Sequence, residues 1–299
     1  MDAAAPASVR CSRCGRPAGA DDYVCSLCGE VLRRSTAPAP RAPAPAPTPW
    51  MPAPESRRGN GVPAGRPGWA YLLVGLVLAP VLTFTPLLQY VGWFLSALFH
   101  ETGHAAVGWA LGCPSIPAVS IAGEAAAVHG DQKLFLCVFW MACLAGLAWA
   151  NRAQRSRLVL FGAALLAYPV LAFTGAREAL FLAGGHLGEL VFATVFLVQA
   201  TAGGFTDSPA ERAAHSMLGW YFVGNNAWLC RGLLWSDQAR ATYASNGSFG
   251  LENDYARLAR DVLHVPLSAV AGGMLLLALA TVPIAVVLGR RIAAADDVP

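Results

Sequence analysis

Charge is what this sequence has least of. Asp, Glu, Lys and Arg make up 13% of its 299 residues, about half the share of an ordinary soluble domain. The net surplus is only +3 at neutral pH. Few charges cannot coat a large water-facing surface. Because the cations are spread over several loops, they also form no basic patch that would grip phosphates, which argues against a nucleic-acid partner. The amino terminus lacks a basic-then-apolar leader, so no cleaved signal peptide is expected. What fills the chain instead is apolar: 56% of residues are hydrophobic and the mean hydropathy is positive. That is the composition of a polytopic membrane protein set in a lipid bilayer.

Cysteine is distributed unevenly. Four of the eight cysteines fall in the first thirty residues, as Cys11-Ser12-Arg13-Cys14-Gly15 and Cys25-Ser26-Leu27-Cys28-Gly29. In each near-repeat the glycine lets backbone amides turn toward the sulfurs. Four thiolates at this spacing suit a closed, tetrahedral structural zinc, and the metal supplies folding energy that so short a segment cannot draw from apolar burial. Two disulfides would require an oxidising compartment, and a redox pair usually comes with a larger α/β domain. Residues 1–34 are therefore expected to form a four-cysteine zinc ribbon. A closed site has no open coordination position, so its use would be to bind a protein partner. Cys113, Cys137, Cys143 and Cys230 lie scattered in apolar segments and read as small packing residues.

Residues 35–68 are dominated by Pro and Ala, as in Ala42-Pro43-Ala44-Pro45-Ala46-Pro47, and read as a semi-rigid extended linker. Arg57, Arg58 and Arg66 close the linker just ahead of the first apolar run, which favours a cytoplasmic ribbon. Apolar runs follow at about 69–84, 87–111, 134–150, 158–173, 179–202, 217–235 and 262–288. The expected fold is an all-α polytopic membrane domain over 69–290 with about six to seven transmembrane helices, followed by a polar tail at 291–299. Orientation does not resolve cleanly: a cytoplasmic amino terminus with every run crossing once leaves Arg152, Arg155 and Arg157 outside.

The second run carries His100-Glu101-Thr102-Gly103-His104. On a helix, residues four apart share a face, so both imidazoles can meet one zinc ion while Glu101 reaches a water on it. Ionisable side chains within an apolar helix are costly and usually kept for function. The alternative is a polar face whose histidines bond carbonyls of neighbouring helices. A catalytic zinc normally takes three protein ligands, so a third is expected elsewhere.

With Ala105-Ala106-Val107-Gly108-Trp109-Ala110-Leu111-Gly112 after it, this motif resembles the site-2 protease family of intramembrane zinc metalloproteases. The likeness covers the motif helix well and the remaining membrane region loosely. It implies two zinc-binding histidines, Glu101 as general base, and an aspartate ligand from a later L-D-G-G-H-like sequence. The nearest match is Leu182-Ala183-Gly184-Gly185-His186, with Ala183 at the aspartate position. It also implies that residues 116–131 form a membrane-associated hairpin able to pair with an extended substrate. An ordinary surface loop accounts for the same residues.

For the third ligand the choice falls on His186 or Glu189, three apart on one helix face of the fifth run, with the other of the pair orienting it. Flanking glycines allow a neighbouring helix to approach closely. Glu124, His129, Asp131, Asp207, His215, Asp254 and His264 compete, each also explained as an interfacial polar residue. Asn225 and Asn226 read as helix-to-helix hydrogen-bonding groups. The function that follows is an intramembrane zinc endopeptidase acting on transmembrane protein substrates, with one catalytic and one structural zinc. A zinc hydrolase of another bond and a non-catalytic membrane adaptor are the alternatives, the adaptor favoured by Ala183.

A peptide spanning residues 9–32 is expected to fold only with zinc and to lose its structure in chelator, cysteines reduced, as circular dichroism would report.

Overall fold

Each of the seven apolar runs is a helix, the form in which a segment satisfies all its backbone hydrogen bonds internally. In a computed structural model of the chain, the structure describes residues 9–10, 14–15, 17–18, 68–121, 123–203, 208–245 and 253–296. The chain divides into two units, Met1–Val62 and Pro63–Pro299.

In the first unit, β1 (Val9–Arg10) and β2 (Pro17–Ala18) pair antiparallel, Val9 opposite Ala18. Between them Cys14 begins a turn in which Gly15 has φ +69°, the left-handed geometry that glycine adopts without a Cβ clash. Cys11, Cys25, Cys28 and the linker up to residue 67 lie outside the described residues.

The second unit begins with α1 (Gly68–Phe84) and α2 (Pro86–Ala110), which meet at a bend of 103°. Pro86 stands in the first turn of α2 after an extended Thr85; its fixed φ suits a helix start, while Thr85 is turned from the helical region by the proline after it. The motif helix α2 ends at a left-handed Gly112, where Cys113 N–H donates to Gly108 O at 2.8 Å, a glycine cap of familiar form. A hairpin follows, β3 (Ser115–Val119) against β4 (Ala125–His129), with Ser115 opposite His129 and Val119 opposite Ala125. Of the two readings of this region, the structure has the hairpin.

Then come α3 (Leu134–Ala150), α4 (Arg155–Phe173), α5 (Ala176–Ala202), α6 (Pro209–Trp235) and α7 (Asp237–Ser245). A short α8 (Asp254–Arg257) runs into a π-helical turn, Leu258–Leu263, before α9 (Leu267–Asp296).

Among the described residues three helices, α4, α5 and α9, are long and apolar enough to cross a membrane, or four segments if the bent α1–α2 pair counts as one broken span. That is fewer than the six to seven expected from the apolar runs. Helix α3 has 17 residues, about 26 Å at 1.5 Å per residue, short of the roughly 30 Å hydrocarbon core. Helix α6 carries Glu211, Arg212 and Arg231 and falls outside the apolar group. An apolar run marks burial in protein as readily as burial in lipid, and α6 places Phe222, Val223 and Leu233 in the protein interior.

Helix α5 is the central post. Its Leu182 and Leu190 join α6, α8 and α9 around Tyr255 and Met274, while Ala193, Leu197 and Val198 join α1, α6 and α9 around Phe222. On its third side α5 meets α2 through glycine. A Cβ on Gly103 would lie 2.4 Å from Gly184 O, and one on Gly188 would lie 2.5 Å from Gly103 Cα. Backbones this close are the mark of small-residue packing between apolar helices. Gly188→Ala is expected to wedge α2 from α5 and cost about 1–3 kcal/mol, measured by unfolding of the protein in detergent or nanodiscs.

Candidate metal centre

The close seam fixes what α2 presents. His100 and His104, one turn apart, bring their Nε2 atoms to 3.1 Å. Asp254, the first residue of α8, places Oδ2 3.0 Å from each. Asn253, just ahead of it, donates from Nδ2 to Tyr243 O at 2.6 Å and ties the start of α8 to α7. The three atoms form a triangle of 3.0–3.1 Å sides, which a ring N–H or one shared cation can hold together. Ligands around one divalent ion with bonds near 2.0–2.1 Å are about 3.3 Å apart in a tetrahedron, so the spacing fits a metal ion.

The rings are set for that role from behind. His104 Nδ1–H donates to Phe181 O at 2.6 Å, which fixes the tautomer and leaves Nε2 with its lone pair. Nδ1 of His100 faces Glu189 Oε2 at 3.7 Å, ion-pair range rather than a direct hydrogen bond. Burial alone would push the Asp254 carboxyl up, but its contacts with His100 and His104 outweigh that and hold it well below the usual carboxylate range. An ionised carboxylate is the form that binds metal.

Glu101 is buried beside this triangle and lines two cavities. One, of about 400 Å³, is bounded by His104, Asp254, His129, Arg177, Phe181 and β4 residues Ala125 to Ala127. The other, of about 380 Å³, is bounded by His100, Trp93, Tyr221, Asn225 and Ala125. His129 donates from Nδ1–H to Ser115 Oγ at 2.7 Å, since the serine's own proton goes to Cys113 O at 2.8 Å. Partial burial, with nearby His104, lowers the His129 pKa, and its ring stacks on Phe181.

For the third ligand the structure offers two groups, His186 with Glu189 and, separately, Asp254. His186 and Glu189 touch His100, and the three form a second group of metal-capable side chains, but the group that holds both motif histidines is the one with Asp254. The buried His186–Glu189 pair also has polar partners on two other helices. Glu189 accepts from Ser96 Oγ on α2, from Asn226 Nδ2 on α6 at 3.0 Å and from His186 Nδ1–H at 3.1 Å. His186 Nδ1 also lies 3.0 Å from Asn226 Oδ1, and Asn225 Nδ2 donates to Ser96 Oγ at 3.1 Å. The two asparagines do link helices, as expected.

Of the competing candidates, Glu124, Asp131 and His264 are exposed, His129 is taken up by Ser115 and Phe181, His215 stacks on Phe196, and Asp207 lies outside the described residues. Asp254 was one candidate among several because nothing local marks it: a carboxylate at the start of a four-residue helix looks like any boundary residue until the fold carries it 154 positions back to His100. Ser96 carried no sequence signal beyond being polar within an apolar run.

Comparison of the chain with protein-family models, with curated proteins and with solved structures found no match.

Asp254→Ala, His100→Ala and His104→Ala are each expected to remove one metal ion per chain, while His186→Ala leaves the count unchanged. Elemental analysis of purified protein decides.

Proposed function

We propose that this chain is an intramembrane zinc endopeptidase of the kind its H-E-x-x-H helix resembles, cleaving transmembrane protein substrates. The observation that carries the reading is the placement of Glu101 beside the His100–His104–Asp254 triangle, at the junction of two cavities. Zinc bound there would supply Lewis-acid polarisation of a peptide carbonyl and make a water more acidic.

Glu101 takes a proton from the attacking water and delivers it to the leaving amine, so its carboxylate begins and ends the cycle ionised. His104 is held by Phe181 O, so it stays in place while the reacting carbonyl binds. Strand β4 is paired on one side by β3, and its Ala125 borders both cavities. An extended substrate adding along β4 would pass Glu101, and such unwinding is what a helical substrate needs before its peptide bonds can be reached. Arg177 and Asn253 at the wall of the larger cavity offer donors to the same backbone.

The four-cysteine ribbon, with its own structural zinc, would recognise a substrate or regulator from the cytoplasmic side, and the seven apolar helices would supply six to seven crossings. The missing carboxylate at Ala183 favoured an adaptor; Asp254 beside both histidines supplies that carboxylate from elsewhere and favours the protease.

Glu101→Gln is expected to keep both zinc ions and lose turnover, because Gln matches Glu in size but cannot accept the proton. Protein reconstituted in liposomes with candidate single-span substrates tests this. Turnover comparable to the unmutated chain would refute the mechanism, and no cleavage of any substrate by the unmutated protein would return the weight to the adaptor.

A further inference from the structure

We infer that Glu189 is a positioning residue that sets the ring of His100 for metal binding, and that His186 and Asn226 orient the carboxylate oxygen that faces the ring. The inference rests on the metal-site reading of His100, His104 and Asp254. Glu189 is 2% exposed, in the middle of a helix apolar enough to cross a membrane. A carboxylate there is expensive unless several donors face it.

The donors come from three helices. Ser96 on α2 reaches Oε1, while Asn226 on α6 and His186 on α5 itself reach Oε2. Asn226 and His186 thus fix Oε2, the oxygen that faces His100 Nδ1 at 3.7 Å, while Ser96 takes Oε1. The 3.7 Å separation is close enough for the carboxylate to polarise the ring. The second face of His100 is fixed independently. A Cβ on Gly185 would lie 2.3 Å from Nε2 and 2.5 Å from both Cδ2 and Cε1, so the imidazole lies flat on glycine backbone. His186 closes a third side, its ring edge-on to His100 with centroids 4.5 Å apart.

The two motif histidines are thus held by the same helix in two ways. Phe181 O secures His104 and Glu189 secures His100, eight residues apart on α5, about two turns and so on one face. The carbonyl fixes a tautomer. The carboxylate, in ion-pair range of Nδ1, favours a proton there and so raises the basicity of the opposite nitrogen, the one that would meet the ion.

A different role is open to these residues on chemistry alone. His100, His186 and Glu189 could together hold a metal. But His186 Nδ1 is committed to Glu189 and Asn226, and Glu189 Oε2 already takes Asn226 and His186. A metal drawing on Nδ1 of His186 or Oε2 of Glu189 would have to compete with those bonds.

The test titrates full-length protein in lipid nanodiscs with cobalt(II) against a competing chelator. Four-thiolate sulfur absorption reports the ribbon, and the weaker bands of a nitrogen–oxygen site report the His100–His104–Asp254 centre. Glu189→Gln is expected to weaken the second site about ten- to hundredfold, leave the ribbon unchanged, and abolish a downfield His100 Nδ1–H resonance in the metal-loaded protein. Ser96→Ala, which removes a donor but leaves the carboxylate facing His100, controls for loss of packing. It is expected to lower thermal stability while changing affinity less than threefold.

Unchanged affinity in Glu189→Gln, with His100→Ala still losing the metal, overturns this inference alone. So does an affinity loss that Ser96→Ala reproduces, or a loss as complete as that of His100→Ala, which would make Glu189 a ligand. Metal retained by His100→Ala overturns the inference and the proposed centre together.

Discussion

Everything in the membrane unit depends on two backbones being allowed to touch. Gly103 on α2 and the Gly184, Gly185 and Gly188 cluster on α5 bring the helices close enough that a single methyl group would collide with backbone atoms. Because the helices are that close, His104 reaches a carbonyl of α5, His100 rests on the backbone of α5, and Ser96 reaches Glu189. With ordinary side chains along the seam the axes would move apart, and all of these contacts would lengthen together.

The second constraint is the cost of polar atoms in an apolar interior, and the chain meets it by concentration. Rather than each ionisable group finding its own partner, two carboxylates and three histidines occupy one region, where the same side chains answer several needs. Asn226 bonds Glu189 and its own helix backbone at Phe222 O. His100 faces Asp254 with one nitrogen and Glu189 with the other. Removing any one of them leaves others buried without a counterpart, which costs more than the lost bond itself.

How far the sequence could be read divides along the same line. Helix positions were legible because a long apolar run with proline and glycine at its ends can do little else, and the motif pair was legible because their spacing is local. Close approach at Gly184 to Gly188 was legible too, as small residues four apart. The number of crossings was not legible, because α6 turns Phe222, Val223 and Leu233 to the protein interior, something composition does not distinguish from lipid. Asp254 was not singled out, since a chain reversal through α7 that no local pattern encodes brings it to His100 and His104, and the bonds of Glu189 to Ser96 and Asn226 were not legible because those partners lie on two other helices.

The position of Asp254 along the chain has a consequence for biosynthesis. The motif histidines are made some 150 residues before the carboxylate that completes their triangle. At about 5 to 20 residues per second, translation separates them by roughly 8 to 30 s. Through that interval the nascent protein carries two paired imidazoles without their anionic third member. The proposed centre is therefore unfinished while the earlier helices are being inserted, and it becomes complete only when the segment before the last helix has emerged and docked. Chain order alone delays the onset of reactivity until the surrounding walls are already in place.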